Sequence, residues 1–200
     1  HVAIAALAMT SLVAVAGCRP PKDERLEPEP VDAITGNYRV ATFNVRRFFD
    51  TVCESGGCEP GDYEALPSQQ VFDQRAAQIA TAIRTLDADL ISLQEIETQP
   101  CLDALLAHLG DVLPYGVLGE ISTTASVDVA VLSKTPLDDV VRHRATTPLV
   151  LPGGGTTTFS RELLEVHVRA ASGAGVVLFA AHFKSKSSDD PARRLAEAHC

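Results

Sequence analysis

Asp89-Leu90-Ile91-Ser92-Leu93-Gln94-Glu95 decides the reading of this chain. A short apolar run entered through Asp reads as a buried β-strand. It stops abruptly on an amide and a carboxylate. A carboxylate in that position is either exposed at the rim of the sheet or held against a cation. Leu-Gln-Glu alone does not separate the two, so the flanking chain has to.

Upstream, Tyr38-Arg-Val-Ala-Thr-Phe-Asn-Val45 alternates as a strand and delivers Asn44 near its end. Arg46 to Pro67 is a long polar loop with Cys53 and Cys58. Asp73 to Leu86 carries Ala76, Ile79, Ala80, Ile83 and Leu86 on one helical stripe, with Asp73 as the N-cap. The strand ending at Glu95 follows, so the first half is a strand-helix-strand unit. Downstream, Cys101 to Leu109 reads as a shorter amphipathic helix and Val127 to Ser133 as a strand. Leu137 to Arg144 is expected to pair with that strand across Thr135-Pro136. Gly153-Gly154-Gly155 is a turn. Thr157 to Arg169 and Val176 to His182 are further strands joined by Ser172-Gly-Ala-Gly175, and Asp190-Pro191 opens a helix. Strands and helices mixed in this way indicate the α/β class, as a layered sandwich.

The 200 residues are 46% hydrophobic and 22% charged, with a formal net charge of -9. That length supports one substantial core. The acidity disfavours a protein that grips nucleic acid by bulk electrostatics. It leaves room for a nuclease, because a cation site is itself acidic. Val2 to Ala16 is apolar and too short to span a bilayer comfortably. It leads into Val15-Ala16-Gly17-Cys18, which resembles a bacterial lipobox with Cys18 as the lipidated residue. The alternative is a plain signal peptide or membrane anchor with an incidental Cys. Arg19 to Gly36, with Pro20, Pro21, Pro28 and Pro30 among charges, reads as a tether. The expected organisation is therefore a signal segment 1–18, a tether 19–36 and a folded domain 37–200, in an exported cell-envelope or extracellular protein. Cys53 and Cys58 flank Gly56-Gly57 and favour a local disulfide over a zinc site; the partners of Cys101 and Cys200 stay open.

Asn44, Glu95, Ser160-Arg161 and His182 now stand in order at strand ends. Thr42-Phe-Asn-Val45 with Phe49-Asp50, Leu93-Gln-Glu95, Val131-Leu-Ser133 with Pro136-Leu137, and His182-Phe-Lys-Ser185 together resemble the endonuclease/exonuclease/phosphatase superfamily, over roughly Asn37 to Cys200. The resemblance implies a deoxyribonuclease I-like sandwich and metal-dependent phosphodiester hydrolysis. It implies Glu95 as the carboxylate on Mg²⁺ (or another divalent cation such as Mn²⁺ or Ca²⁺), with the Asn44 amide oxygen at or near the ion. His182 would donate to a phosphate oxygen, Arg161 would bind or orient the phosphate, and Lys184 would add positive charge. One or two carboxylates with substrate and water suit Mg²⁺. His167, mid-strand, is read as structural.

Two later motifs of that superfamily, Gly-Asp-x-Asn and a terminal Ser-Asp-His, are absent. Gly61-Asp62 and Gly110-Asp111 are not followed by the needed Asn. The expectation is a chain cut after Cys200, lacking the general base and inactive as it stands. Three functions follow for the whole protein: an exported, monomeric nuclease tethered to the membrane through Cys18; a phosphodiesterase or phosphatase acting on phospholipid or small phosphate esters; and a non-catalytic surface binding module on the same fold.

Overall fold

The computed structural model describes residues 37–186 and 190–200. Cys18 and the segment 19–36 lie outside those residues. The chain runs β1 (Val40–Phe48), α1 (Gln69–Leu86), β2 (Leu90–Ile96), α2 (Gln99–Leu109), β3 (Tyr115–Gly119), β4 (Asp128–Ser133), β5 (Leu137–Arg142), β6 (Leu149–Val150), β7 (Thr156–Thr157), β8 (Leu164–Arg169), β9 (Gly175–Ala180) and α3 (Pro191–His199). One sheet has the order β1-β2-β4-β3 and a second the order β5-β8-β9, with β6-β7 a short ribbon. β1 and β2 are parallel, joined through α1, as the strand-helix-strand reading requires.

The period of two on β2 sorts its side chains to two cores. Ile91 and Leu93, with Ala130 and Leu132 of β4, pack under α1 and α2 against Ala76, Ile79, Ile83, Leu102 and Leu105. Leu90, Val129 and Val131 face the other way, onto Leu164, Val166 and Val168 of β8. The result is helices, sheet and sheet in layers. At Gly119 of β3 a Cβ would lie 2.9 Å from the Glu162 Cβ and 3.0 Å from the Leu164 Cγ at the start of β8. Any side chain there would force the layers apart.

Several sequence-based bounds shift. α1 starts four residues before Asp73. Ser68 is its N-cap, accepting from the Val71 amide, and Leu86 is exposed rather than part of the buried stripe. β5 does not pair with β4; it runs antiparallel to β8 in the second sheet. Alternation along β5 gives no partner, and apolar faces on both neighbours make either pairing locally acceptable. β3 carries two glycines and was not anticipated as a strand. β8 is shorter than Thr157 to Arg169, so Ser160-Arg161 precedes it in a loop, and His182 lies two residues past β9.

Candidate active site at the bulged strand ends

Both parallel strands lose their register at the same level. In β1 the shift falls between Asn44 and Phe48, where Arg46 and Arg47 have φ of 58° and 52°. In β2 it falls between Gln94 and Ile96, where Glu95 has φ of 69°. Non-glycine residues rarely adopt such φ, and they concentrate where function demands it. The consequence is geometric. With strict alternation Glu95 would share the helix-facing core with Leu93. The bulge instead returns Ile96 to that core and turns Glu95 to the rim. The carbonyl of Val45, left by the distorted ladder, accepts from Arg75 Nη2 at 2.7 Å, so α1 supports the bulge.

Glu95 is partly buried and held at both oxygens. Asn44 Nδ2 donates to Oε1 at 2.9 Å and the Arg47 amide to Oε2 at 2.9 Å. Asn44 Oδ1 accepts from the Arg46 amide at 2.8 Å, which fixes which way its amide points. Thus Asn44 faces the carboxylate with its nitrogen, and a cation would have only the second lone pair of Oδ1. His182 Nε2 stands 3.9 Å from Glu95 Oε1, and its Nδ1 is buried without a partner among the described residues. Burial and the nearby Arg161 guanidinium push the His182 imidazole below its usual pKa, against the opposing pull of Glu95 and Glu197. Arg161 Nε donates to the Val127 carbonyl at 3.0 Å, which anchors the stem of the guanidinium beside β4. Four positions singled out in the sequence, Asn44, Glu95, Arg161 and His182, therefore converge on one end of the sandwich. Lys184 follows on the His182 segment, its amide donating to Glu197.

A divalent cation fits this donor set. Glu95 is a carboxylate with no Lys or Arg within ion-pair distance among the described residues, its oxygens are oriented by neutral donors, and its other neighbour is an imidazole. Such oxygen-rich, cation-free sites suit Mg²⁺.

Asp128 and Glu97 carried no sequence signal of their own. Asp128 opens β4 fully buried. Its Oδ2 accepts from Ser126 Oγ at 2.7 Å and the Ile121 amide, while Oδ1 has no partner. Burial raises its carboxyl to about 6, against the pull of Ser126, Ile121 and Arg161. Glu97 is also buried, accepting from the Asp50 amide at 2.7 Å with its other oxygen unpartnered. Burial first, then the like charges of Asp50, Glu64 and Glu54, raise it to about 7. Asp50 itself accepts from Val52 N and Thr98 Oγ1. Arg47 lies over the Tyr63 ring, 4.6 Å from its centroid, at the edge of the loop from Arg46 to Pro67.

That loop is closed by a disulfide between Cys53 and Cys58. Both oxygens of buried Glu64 accept from the Glu54 and Ser55 amides, each at 2.7 Å. The two sulfurs adjoin Glu64, but joined to each other they are not thiolates for zinc. Cys101 is buried, its thiol pushed up to about 12, mainly by burial. His167, read as structural, shares Glu165 with His143 on the second sheet, at 2.6 and 2.8 Å.

No curated protein matches the sequence. Among solved structures, SmcL superposes with a TM-score of 0.50 at 20% identity, covering 82% of this chain and 55% of its own. A β-hairpin deletion mutant of β toxin from Staphylococcus aureus gives 0.49 at 18%, with 76% and 53% coverage. Sphingomyelinase C from Streptomyces griseocarneus gives 0.48 at 22%, with 77% and 51%. The chain thus spans about half the length of the structures it matches. The fold is the deoxyribonuclease I-like α/β sandwich. A model of the endonuclease/exonuclease/phosphatase family matches residues 41–198, and on that extent this chain belongs to the endonuclease/exonuclease/phosphatase family.

Proposed function

We propose that the protein hydrolyses phosphodiester bonds with a divalent cation on Glu95, and that its substrate is a nucleic acid. One observation carries the reading: a carboxylate turned out of the core by a strand bulge, held by Asn44 and the Arg47 amide, with no Lys or Arg ion pair among the described residues. A bound Mg²⁺ would supply charge neutralisation at phosphorus and an activated water. Glu95 would hold the ion and Asn44 would fix the carboxylate. His182 would donate from Nε2 to a phosphate oxygen. The Nη groups of Arg161 would take the equatorial oxygens in a bidentate contact.

For substrate class, Arg46, Arg47 and Lys184 stand close by in sequence to Asn44 and His182, and Arg47 is paired with the half-exposed ring of Tyr63. A cation and an aromatic face together suit a phosphate-linked strand with bases to stack. Export, with a lipid anchor at Cys18, rests on Val15-Ala-Gly-Cys18.

The test is product release from DNA, RNA, a choline phospholipid and bis(p-nitrophenyl) phosphate, with Mg²⁺ and with chelator, using the full-length protein. Chelator-sensitive cleavage of a nucleic acid supports the reading. Cleavage of the phospholipid alone would move the substrate, and no cleavage of any diester would remove the activity. Replacing Cys18 with Ser should release the protein from the membrane fraction and remove the acyl mass; unchanged mass and location would end the anchor proposal.

A further inference from the structure

Arg161 and His182 sit on different segments, one before β8 and one after β9, and neither is on regular structure. Two phosphate-binding groups on separate loops need something to fix their spacing. The Glu197 carboxylate on α3 spans the gap. It is 2% exposed. Its Oε1 accepts from the Ser160 amide at 2.6 Å, one residue before Arg161, and its Oε2 accepts from the Lys184 amide at 2.5 Å, two residues after His182. Arg193 Nε, 3.5 Å from Oε1, also donates to the Thr158 carbonyl, so the same turn of α3 grips the first segment twice.

We infer that Glu197 is a positioning residue for phosphate binding: its carboxylate ties the Arg161 and His182 segments to one point and sets the distance between them. A carboxylate is required because both partners are N–H donors, and charge-assisted bonds of this kind are stronger than neutral ones. α3 is itself anchored. Asp190 caps it by accepting from the Arg193 amide, and Ala196 packs with Leu149 and Phe159. The clamp therefore transmits the position of a packed helix to two loops. This inference rests on the phosphodiester reading for its consequence, though not for its geometry.

The informative variant is Glu197→Gln in the full-length protein. Gln keeps the shape and one acceptor but sets an NH₂ against the second amide. With Mg²⁺ present, inorganic phosphate affinity and diester hydrolysis should each fall about tenfold, the scale of one lost charged hydrogen bond. KM for a small diester should rise with kcat falling, and the melting temperature should move little. In a His182→Ala background the same substitution should cost less than about twofold, because coupled residues are not additive. The Ser160 and Lys184 amide protons should shift upfield in the NMR spectrum. Full phosphate affinity in Glu197→Gln, or an equal loss with and without His182, would overturn the inference. A parent protein that hydrolyses no diester would instead sink the proposed function, while phosphate titration and the two amide shifts would still decide the role of Glu197.

Discussion

The two ends of the four-stranded sheet treat carboxylates in opposite ways. At the end where β1 and β2 begin, Asp87 pairs with Arg39 and Lys134, Asp89 with Lys134 at 2.9 Å, and Asp111 with Arg84. Burial works against ionisation of Asp89, but the Arg39 amide and Lys134 outweigh it and hold its carboxyl below the usual range. The hydrogen bond from Arg84 does the same for Asp111. At the far end, Glu95, Glu97, Asp50 and Asp128 have no Lys or Arg ion pair among the described residues, and burial drives Glu97 and Asp128 upward. An end whose negative charges are already neutralised is finished as structure. An end that keeps them uncompensated is where the proposed cation would bind.

The sharpest break of this contrast is Glu95→Gln. It keeps the acceptor for Asn44 or Arg47 and removes the charge. Diester hydrolysis by the full-length protein should fall at least about a hundredfold, the scale of a lost electrostatic contact in a transition state, with little change in melting temperature. Parent-rate hydrolysis would take Glu95 out of the mechanism.

Glu97→Gln tests the same end through stability. The folded state holds the Glu97 proton up to about 7, against an ordinary 4.5, so stability is lost as pH rises between those values. Gln removes that loss. Urea unfolding should show a gain of about 3 kcal/mol at pH 8 and none at pH 4. A gain independent of pH would mean that folding does not raise the Glu97 pKa.

Added Mg²⁺ should raise the melting temperature of the parent by the linkage of one site, about 1.4 kcal/mol at ten times Kd. Glu95→Gln should lose that shift, and Asp89→Asn should keep it. Equal shifts in both variants would place the ion elsewhere.

The smallest effect belongs to the paired end. Asp89→Asn keeps an acceptor for the Arg39 amide, 2.7 Å away, and loses the Lys134 pair. Because the Asp89 carboxyl is held low, its contribution is present above the ordinary carboxylate pKa and lost as pH falls through the folded value. The cost at pH 7 should stay below about 1 kcal/mol and shrink in 1 M salt. A larger, salt-insensitive cost would show the pair to be better buried than its geometry indicates.

Much of the molecule was legible in the chain itself. Apolar period separates α1 from β1 and β2, and the polar residues Asn44 and Glu95 mark where those strands lose their register. Local glycines, and a spacing unlike that of a zinc finger with no His nearby, point to the Cys53–Cys58 closure, which the structure contains. Family motifs in order lead to the sandwich. Each of these signals is local, and local spacing survives in the sequence. What tertiary structure alone decided is relational. Strand period assigns Glu95 to the helix-facing core with Leu93; only the paired bulges at Arg46-Arg47 and Glu95 turn it to the rim, and bulges answer to neighbouring strands. The partner of β5 depends on which apolar face reaches it first in space, so alternation could not choose β8 over β4. Asp128, Glu97 and Glu197 look like ordinary acidic residues in a line of text. Each becomes distinctive through burial and the groups brought against it by chain segments as many as 47 residues away, as for Glu97 and Asp50, and no periodicity records that.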